Sequence, residues 1–295
     1  DCPRFTRHLE AAYLDVMERH WRGEAPCHQS VPPQPATSPS SAFERQPRVV
    51  PPTTPPQDIP SPAEPSHNPP AMPTPVSELV AKALQHHRQG DLSRAEELYS
   101  RILERHPTHP DALHLRGVLA CQRGQHAAGV AFITRAIEAN PPQAPYFLNR
   151  GIALRDLQRP QEALEDFEHA IRLDPGNAAA LRNRGIALRD LGRLEEGLAS
   201  HDHAIRLLPH DAETYFNRGN LLQDLRRHEE ALADFDRAIL HNPSHAVAFN
   251  NRGNVLYTLN RPEEALMSYT EAVRLKTDFV NAWINRGKLQ FELSR

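Results

Sequence analysis

From residue 76 onward, apolar positions recur every three or four residues in blocks of about thirteen, which is the stripe of an amphipathic helix. The blocks come in pairs with a fixed period. Pro107, Pro141, Pro175, Pro209 and Pro243 stand 34 residues apart, and Gly117, Gly151, Gly185, Gly219, Gly253 and Gly287 keep the same interval. A gapless period of that length predicts a stacked array of helical hairpins, none of which can bury its apolar face alone.

Each 34-residue unit can be numbered so that its closing proline is position 32. Position 8 is then Ala83 followed by the six glycines, and position 20 reads Ala95, Gly129, Ala163, Gly197, Ala231, Ala265. Position 24 reads Tyr99, Ile133, Phe167, His201, Phe235, Tyr269, and position 27 reads Ile102, Ala136, Ala170, Ala204, Ala238, Ala272. Small residues at 8 and 20 let two antiparallel helices approach closely. Small residues at 27 admit the next unit's first helix, and the large residue at 24 fills the space between layers. With Phe147, Tyr215, Phe249 and Trp283 at position 4, the pattern resembles the tetratricopeptide repeat.

The fold expected is all-α. It is a right-handed superhelix of hairpins over residues 76–295, with six repeats and a seventh begun. In the third unit the helices are expected near 144–157 and 161–173. The turn between them carries Gly90, Gly124 or Gly192 where a left-handed residue is convenient, or Arg159-Pro160 and Arg261-Pro262 where proline opens the second helix. Thr277 replaces the closing proline of the sixth unit, so that boundary is expected to run on. Trp283 and Phe291 need cover from a second helix, so the array is expected to continue beyond Arg295.

Two further segments precede the array. Over residues 1–30, Phe5, Leu9, Tyr13, Val16 or Met17, and His20 or Trp21 form one apolar stripe that Gly23 and Pro26 end. A lone amphipathic helix of that length needs a partner surface. The order Asp1, Phe5, Leu9-Glu10, Tyr13, Val16-Met17-Glu18, then Gly23 and Pro26-Cys27-His28, resembles the C-terminal helix of O-linked N-acetylglucosamine transferase-like (SPINDLY-type) glycosyltransferases. Val16-Met17 stands where Met-Trp is usual. The resemblance implies a remnant of a glycosyltransferase-like domain whose catalytic part lies upstream, in the same parent chain. Residues 31–75 hold sixteen of the 28 prolines among Ser, Thr and Gln. Such a composition cannot bury enough surface to offset its ordering entropy, so a disordered, polyproline-like linker is expected.

Charge and candidate chemistry narrow the function. A net charge of −3 supplies no basic field for nucleic acid or an anionic membrane. No apolar run approaches the ~20 residues of a bilayer span. Three cysteines, Cys2, Cys27 and Cys121, form no disulfide framework and suit a reducing, cytoplasmic setting, although Asp1 is not an initiator residue and targeting signals fall outside this reading. There is no phosphate loop, nucleophile elbow or metal-ligand spacing, and His201 and His203, two apart on one helix, point away from each other. The chain is therefore expected to be non-catalytic, without cofactor or metal.

The informative polar pattern follows the repeat. Asn149, Asn183, Asn217, Asn251 and Asn285 all occupy position 6, each inside Asn-Arg-Gly, whereas the second unit has Leu115 there. First helices line the inner wall of such a superhelix, so these amides stack into a row. An amide both donates and accepts, and a row of them can pair with the backbone of an extended peptide whatever its sequence. The transferase resemblance implies the same peptide-holding role. The alternative is that the amides tie neighbouring helices together. Arg155 and Arg189 at position 12, beside Asp156 and Asp190, complete a mixed polar wall. The arginine after each asparagine (Arg116, Arg150, Arg184, Arg218, Arg252, Arg286) is expected to be a solvated edge residue. The function expected is a scaffold that binds extended protein segments. Alternatives are a substrate-recruiting fragment of a protein glycosyltransferase and a chaperone-type carboxylate clamp. The clamp is disfavoured because position 5 offers Phe216, Asn250 and Ile284 but no lysine.

Overall fold

The structure, a computed structural model, describes residues 75–139 and 141–294. The expected helix over residues 1–30 and the linker up to residue 74 lie outside the described residues. Among those described there are thirteen α-helices and no strand. They are α1 (Val76–Arg88), α2 (Leu92–Arg105), α3 (Pro110–Gln122), α4 (His126–Ala139), α5 (Ala144–Asp156) and α6 (Pro160–Leu173). Then come α7 (Ala178–Asp190), α8 (Leu194–Leu207), α9 (Ala212–Asp224) and α10 (His228–His241). The last three are α11 (Ala246–Thr258), α12 (Pro262–Leu275) and α13 (Val280–Leu293). Odd-numbered helices begin the hairpins and even-numbered helices close them. Lys276 ends α12 and Val280 opens α13, so the sixth boundary does not run on, even with Thr277 in place of proline. A helix can stop without proline because the chain turns extended at Lys276, with φ −139° and ψ 95°.

The hairpin turns share one geometry. Gly90, Gly124 and Gly192 adopt φ of 80°, 75° and 74°, and Gln158, Arg226 and Asn260 adopt φ of 60°, 61° and 56° at the same position. The left-handed residue lets the next amide reach back five residues to the helix it leaves, as Gln125 N does to the Ala120 carbonyl at 2.9 Å. Arg159 N to the Leu154 carbonyl, at 3.0 Å, is the same bond without glycine. Proline at 160 and 262 therefore opens α6 and α12 but does not replace the left-handed step.

Packing follows the small and large positions. A Cβ on Gly151 would stand 2.7 Å from the Phe167 ring, one on Gly219 would stand 2.9 Å from Phe235, and one on Gly253 would stand 2.5 Å from Tyr269. Position 24 thus lies on the bare backbone of position 8 in its own hairpin. Position 20 meets the same backbone, since a Cβ on Gly129 or Gly197 would be 3.0 Å from the carbonyl of Gly117 or Gly185. Position 27 forms the seam between hairpins: Ala136 clusters with Tyr146, Ala170 with Ala180, Ala238 with Ala248 and Ala272 with Ala282. Gly287 is the exception. Nothing lies within 4 Å of a Cβ added there, because α13 has no second helix packed on it among the described residues.

The arginines at position 7 are not solvated edge residues. The Arg150 guanidinium donates to both carboxylate oxygens of Asp166 at 2.8 and 2.7 Å and to Thr134 Oγ1 at 3.1 Å. Arg218 grips both oxygens of Asp234 at 2.7 Å and Asp202 at 2.6 Å. Arg184 takes Ser200 at 2.6 Å and Glu168 at 3.4 Å, and Arg252 takes Ser268 at 2.7 Å and Asp236 at 2.6 Å. Each arginine on a first helix therefore staples its own second helix (position 23) to that of the preceding hairpin (position 25). The reason is geometric: both partners lie sixteen residues away, one in each direction, and the fork of five donors can serve both. Arg116 pairs instead with Glu96, and Arg286 stacks over Trp283 at 4.1 Å.

Candidate functional site

The first helices stand side by side, and their positions 5, 6, 9 and 12 meet across the seams. Asn149 lies 3.0 Å from Nε2 of the fully buried His114 on the preceding first helix. Asn251 Nδ2 donates to Asn220 Oδ1 at 2.8 Å, and Asn250 Nδ2 donates to Asn251 Oδ1 at 3.1 Å. Asn285 Nδ2 donates to Asn250 Oδ1 at 3.0 Å and to Asn254 Oδ1 at 3.1 Å. The result is a continuous run of carboxamides over α9, α11 and α13. All of these except the buried Asn250 are half-buried.

The remaining expected residues differ among themselves. Asn217 is half-buried and makes no side-chain hydrogen bond, and it is not among the buried unpaired groups, so its amide faces solvent. Asn183 is fully buried. Its Nδ2 donates to the Ala179 carbonyl at 2.8 Å and its Oδ1 accepts from Arg155 at 3.3 Å. In this arrangement Asn183 presents no amide atom at the surface, because Arg155 folds over it. Arg189 reaches the next first helix and pairs with Asp224 at 2.5 Å. The structure thus brings Asn251 and Asn285 into one network, keeps Asn149 and Arg189 in separate seams, and buries Asn183 under Arg155.

Sequence reasoning did not connect Asn250, Asn220 and Asn254 with this row. The available signal was spacing: position 9 falls one helical turn from both position 5 and position 6, at i+4 and i+3. It likewise missed the N-terminal histidines. His87 Nε2 lies 2.9 Å from Gln122 Oε1, and Nδ1 lies 3.3 Å from the Tyr99 hydroxyl. Burial pushes His114 down to about 3, with the nearby His87 adding to the effect. Burial also lowers His87, against the hydrogen bond that its Nε2–H donates to Gln122 Oε1, which favours the charged form. These imidazoles are therefore neutral polar fillers at neutral pH.

His201 occupies position 24, fully buried on Gly185. Neither ring nitrogen has a partner, and burial, then the fields of Arg182, Arg218 and Arg189, push it down to about 3. Burial raises the Cys121 thiol to about 12, so it is not a nucleophile at neutral pH. Among the described residues no group of His, Cys, Asp and Glu could hold a metal, and no helix is long and apolar enough to cross a membrane. What the wall offers is neutral amides and paired charges, suited to hydrogen bonding along a chain.

Comparisons with known proteins agree with this architecture. Residues 80–145, 148–212, 212–245 and 246–279 match the tetratricopeptide repeat family. No curated protein matches the chain in sequence. Among solved structures, a chain of the APC/C hetero-tetramer Cut9-Hcn1 is similar with a TM-score of 0.66 at 15% identity, over 72% of this chain and 42% of that one. The chain therefore spans less than half the length of that relative. PilF of Pseudomonas aeruginosa is similar with a TM-score of 0.63 at 16% identity, over 74% of this chain and 97% of that one. YrrB, described as a tetratricopeptide repeat protein with an unusual peptide-binding site, is similar with a TM-score of 0.50 at 23% identity, over 64% of this chain and 97% of that one. With the hairpin geometry, the position-8 and position-24 packing and four successive matched segments in hand, the chain belongs to the tetratricopeptide repeat family.

Proposed function

We propose that this chain is a non-catalytic scaffold whose row of first helices binds an extended protein segment. Asn149, Asn217, Asn251 and Asn285 contact it, with Arg189 at the rim. Asn183 and Arg155 join once Arg155 swings away from the amide it covers. The observation that carries the reading is the solvent-facing carboxamide of Asn217, next to the amide run of α9, α11 and α13. Asn217 already has both a donor and an acceptor to spare. In the bonded amides each nitrogen carries two hydrogens and each oxygen two lone pairs, so Asn251 keeps one of each. The likeness to YrrB, whose title names a peptide-binding site, supports the same use of the fold.

Each such bond contributes about 0.5–1.5 kcal/mol net, so affinity grows by summing several. Replacing Asn217 and Asn251 together by alanine lowers affinity for an unfolded polypeptide about 5- to 150-fold on that scale, with helicity by circular dichroism unchanged. Unaltered affinity would refute the amide row.

A second reading rests on residues 1–28, whose order of residues resembles the last helix of a protein glycosyltransferase. On it the array recruits substrate for a catalytic domain in the same parent. This chain alone then shows no transfer from a nucleotide sugar, and turnover by the purified chain would overturn that division of labour.

A further inference from the structure

The second helices end in a surface that neither the hairpin packing nor the amide wall uses. Residues 169–173 of α6 and 203–207 of α8 both read His-Ala-Ile-Arg-Leu, and 237–241 of α10 read Arg-Ala-Ile-Leu-His. No acid stands in any of the three. The acids that precede them are taken: Glu168 pairs with Arg184, Asp202 with Arg218 and Asp236 with Arg252. The equivalent stretches of α2, α4 and α12 each hold a glutamate, at Glu104, Glu138 and Glu271. Ala170, Ala204 and Ala238 are buried in the seams, whereas Arg172, Arg206 and Arg237 are exposed and pair with no carboxylate. Beside them Leu173 is 46%, Leu207 38% and Leu240 68% exposed, and Leu208, just past α8, is 52% exposed.

A basic residue in a last helical turn complements the macrodipole, which accounts for the arginines taken singly. It does not account for the leucines. One exposed leucine needs no explanation, but a patch of them on successive helices marks a contact surface. Hairpin packing does not demand them, since α2 and α4 place Arg105 and Ala139 where α6 and α8 place Leu173 and Leu207.

The three ends form one row. Arg184 ties Glu168 of α6 to Ser200 of α8, and Arg218 ties Asp202 of α8 to Asp234 of α10, which holds these helices side by side. Neighbouring axes stand about 8–10 Å apart, and seven residues of an α-helix advance about 10.5 Å. A partner helix laid across the row therefore meets one leucine with every seventh residue. Residues three or four away on the same partner helix reach the arginines. The charge of the partner follows from the row itself, which offers three unpaired guanidinium groups and no carboxylate. Three arginines across ~20 Å, in a chain of net charge −3, are too sparse a field for an anionic membrane.

We propose that the C-terminal turns of α6, α8 and α10 are a second docking surface, separate from the amide wall, for an acidic amphipathic helix of another protein.

The probe is a fluorescently labelled three-heptad peptide with leucine at two positions of each heptad and glutamate at the positions beside them. Its binding to the full chain is followed by anisotropy, with helicity of every variant checked by circular dichroism. The glutamate peptide should bind saturably, and the version with lysine for glutamate should bind far less. Alanine at Arg172, Arg206 and Arg237 together should lower affinity about 3- to 150-fold, the range for three exposed charge pairs. Glutamine at Leu173, Leu207 and Leu240 together should lower it about tenfold or more, and Asn217→Ala with Asn251→Ala should leave it unchanged. Reversing the charges with Arg172→Glu, Arg206→Glu and Arg237→Glu should switch the preference to the lysine peptide, an outcome that misfolding cannot imitate. No binding of the glutamate peptide, equal binding of both peptides, or loss on replacing Asn217 and Asn251 would each overturn the proposal. So would capture of phosphatidylserine vesicles by a chain that ignores the peptide.

Discussion

His201→Phe tests the packing account where it is most specific. The imidazole lies flat on Gly185, where an added Cβ would be 2.6 Å from its ring, just as Phe167 lies on Gly151 and Phe235 on Gly219. Both of its nitrogens are buried without a partner. Burying such polar atoms costs about 1–3 kcal/mol relative to an apolar group of the same shape. Phenylalanine should therefore stabilise the chain by about that amount at pH 7.5. The pH dependence supplies an independent sign. Burial holds the folded-state value near 3, below the usual 6.5 of an unfolded chain. Between those limits the unfolded state binds a proton that the native state refuses, so stability falls as pH drops. One such group contributes on the order of 1 kcal/mol per pH unit, or about 2 kcal/mol from pH 6.5 to 4.5. His114, also held near 3 by burial, adds a similar slope. Urea unfolding of the full chain, followed by circular dichroism at pH 7.5, 6.5, 5.5 and 4.5, reads both effects. The variant should start more stable and lose about one proton's worth less per pH unit. Destabilisation at pH 7.5 or an unchanged pH slope would refute the reasoning.

Further outcomes follow from the same geometry and use the same unfolding measurement. Gly185→Ala should cost about 1–3 kcal/mol because its Cβ meets a ring with no room to move, whereas Gly287→Ala should be neutral or gain up to about 1 kcal/mol of helix propensity, nothing being near it. Arg218→Met strands the nearly buried Asp234 carboxylate and should cost about 2–4 kcal/mol. Adding Asp234→Ser to it should recover part of that loss, serine being the residue that Arg184 and Arg252 meet at the same position. Arg226→Gly relieves a left-handed arginine and should raise the unfolding midpoint by up to about 1 kcal/mol of stability.

The repeat, the hairpin and the close approach at positions 8 and 20 were legible because each depends on residue size at a fixed interval. The staple at position 7 was harder to see. Arg150 to Asp166 and Thr134, or Arg218 to Asp234 and Asp202, join helices at separations unrelated to any helical period, so no single-helix pattern points to them. Reading positions 23 and 25 together, Asp166, Ser200, Asp234, Ser268 and Thr134, Glu168, Asp202, Asp236, would have supplied the missing acceptors. Left-handed Gln158, Arg226 and Asn260 were hidden because hairpin closure, not residue preference, sets that φ. At the wall, position 6 fixes the face on which an asparagine stands. It does not fix what the amide touches: Asn183 and Asn217 share a position, yet one lies buried under Arg155 and the other faces solvent.

The most direct test of the wall as a binding surface watches its amides. Side-chain NH2 resonances of Asn217, Asn220, Asn251 and Asn254 are assigned by single substitution and followed by NMR while an unfolded polypeptide is titrated into the full chain. The account predicts that these four shift in a saturable manner while the Arg218 and Arg252 Nε signals, locked in their staples, stay in place. Shifts that spare the four amides and fall on the second helices would contradict it.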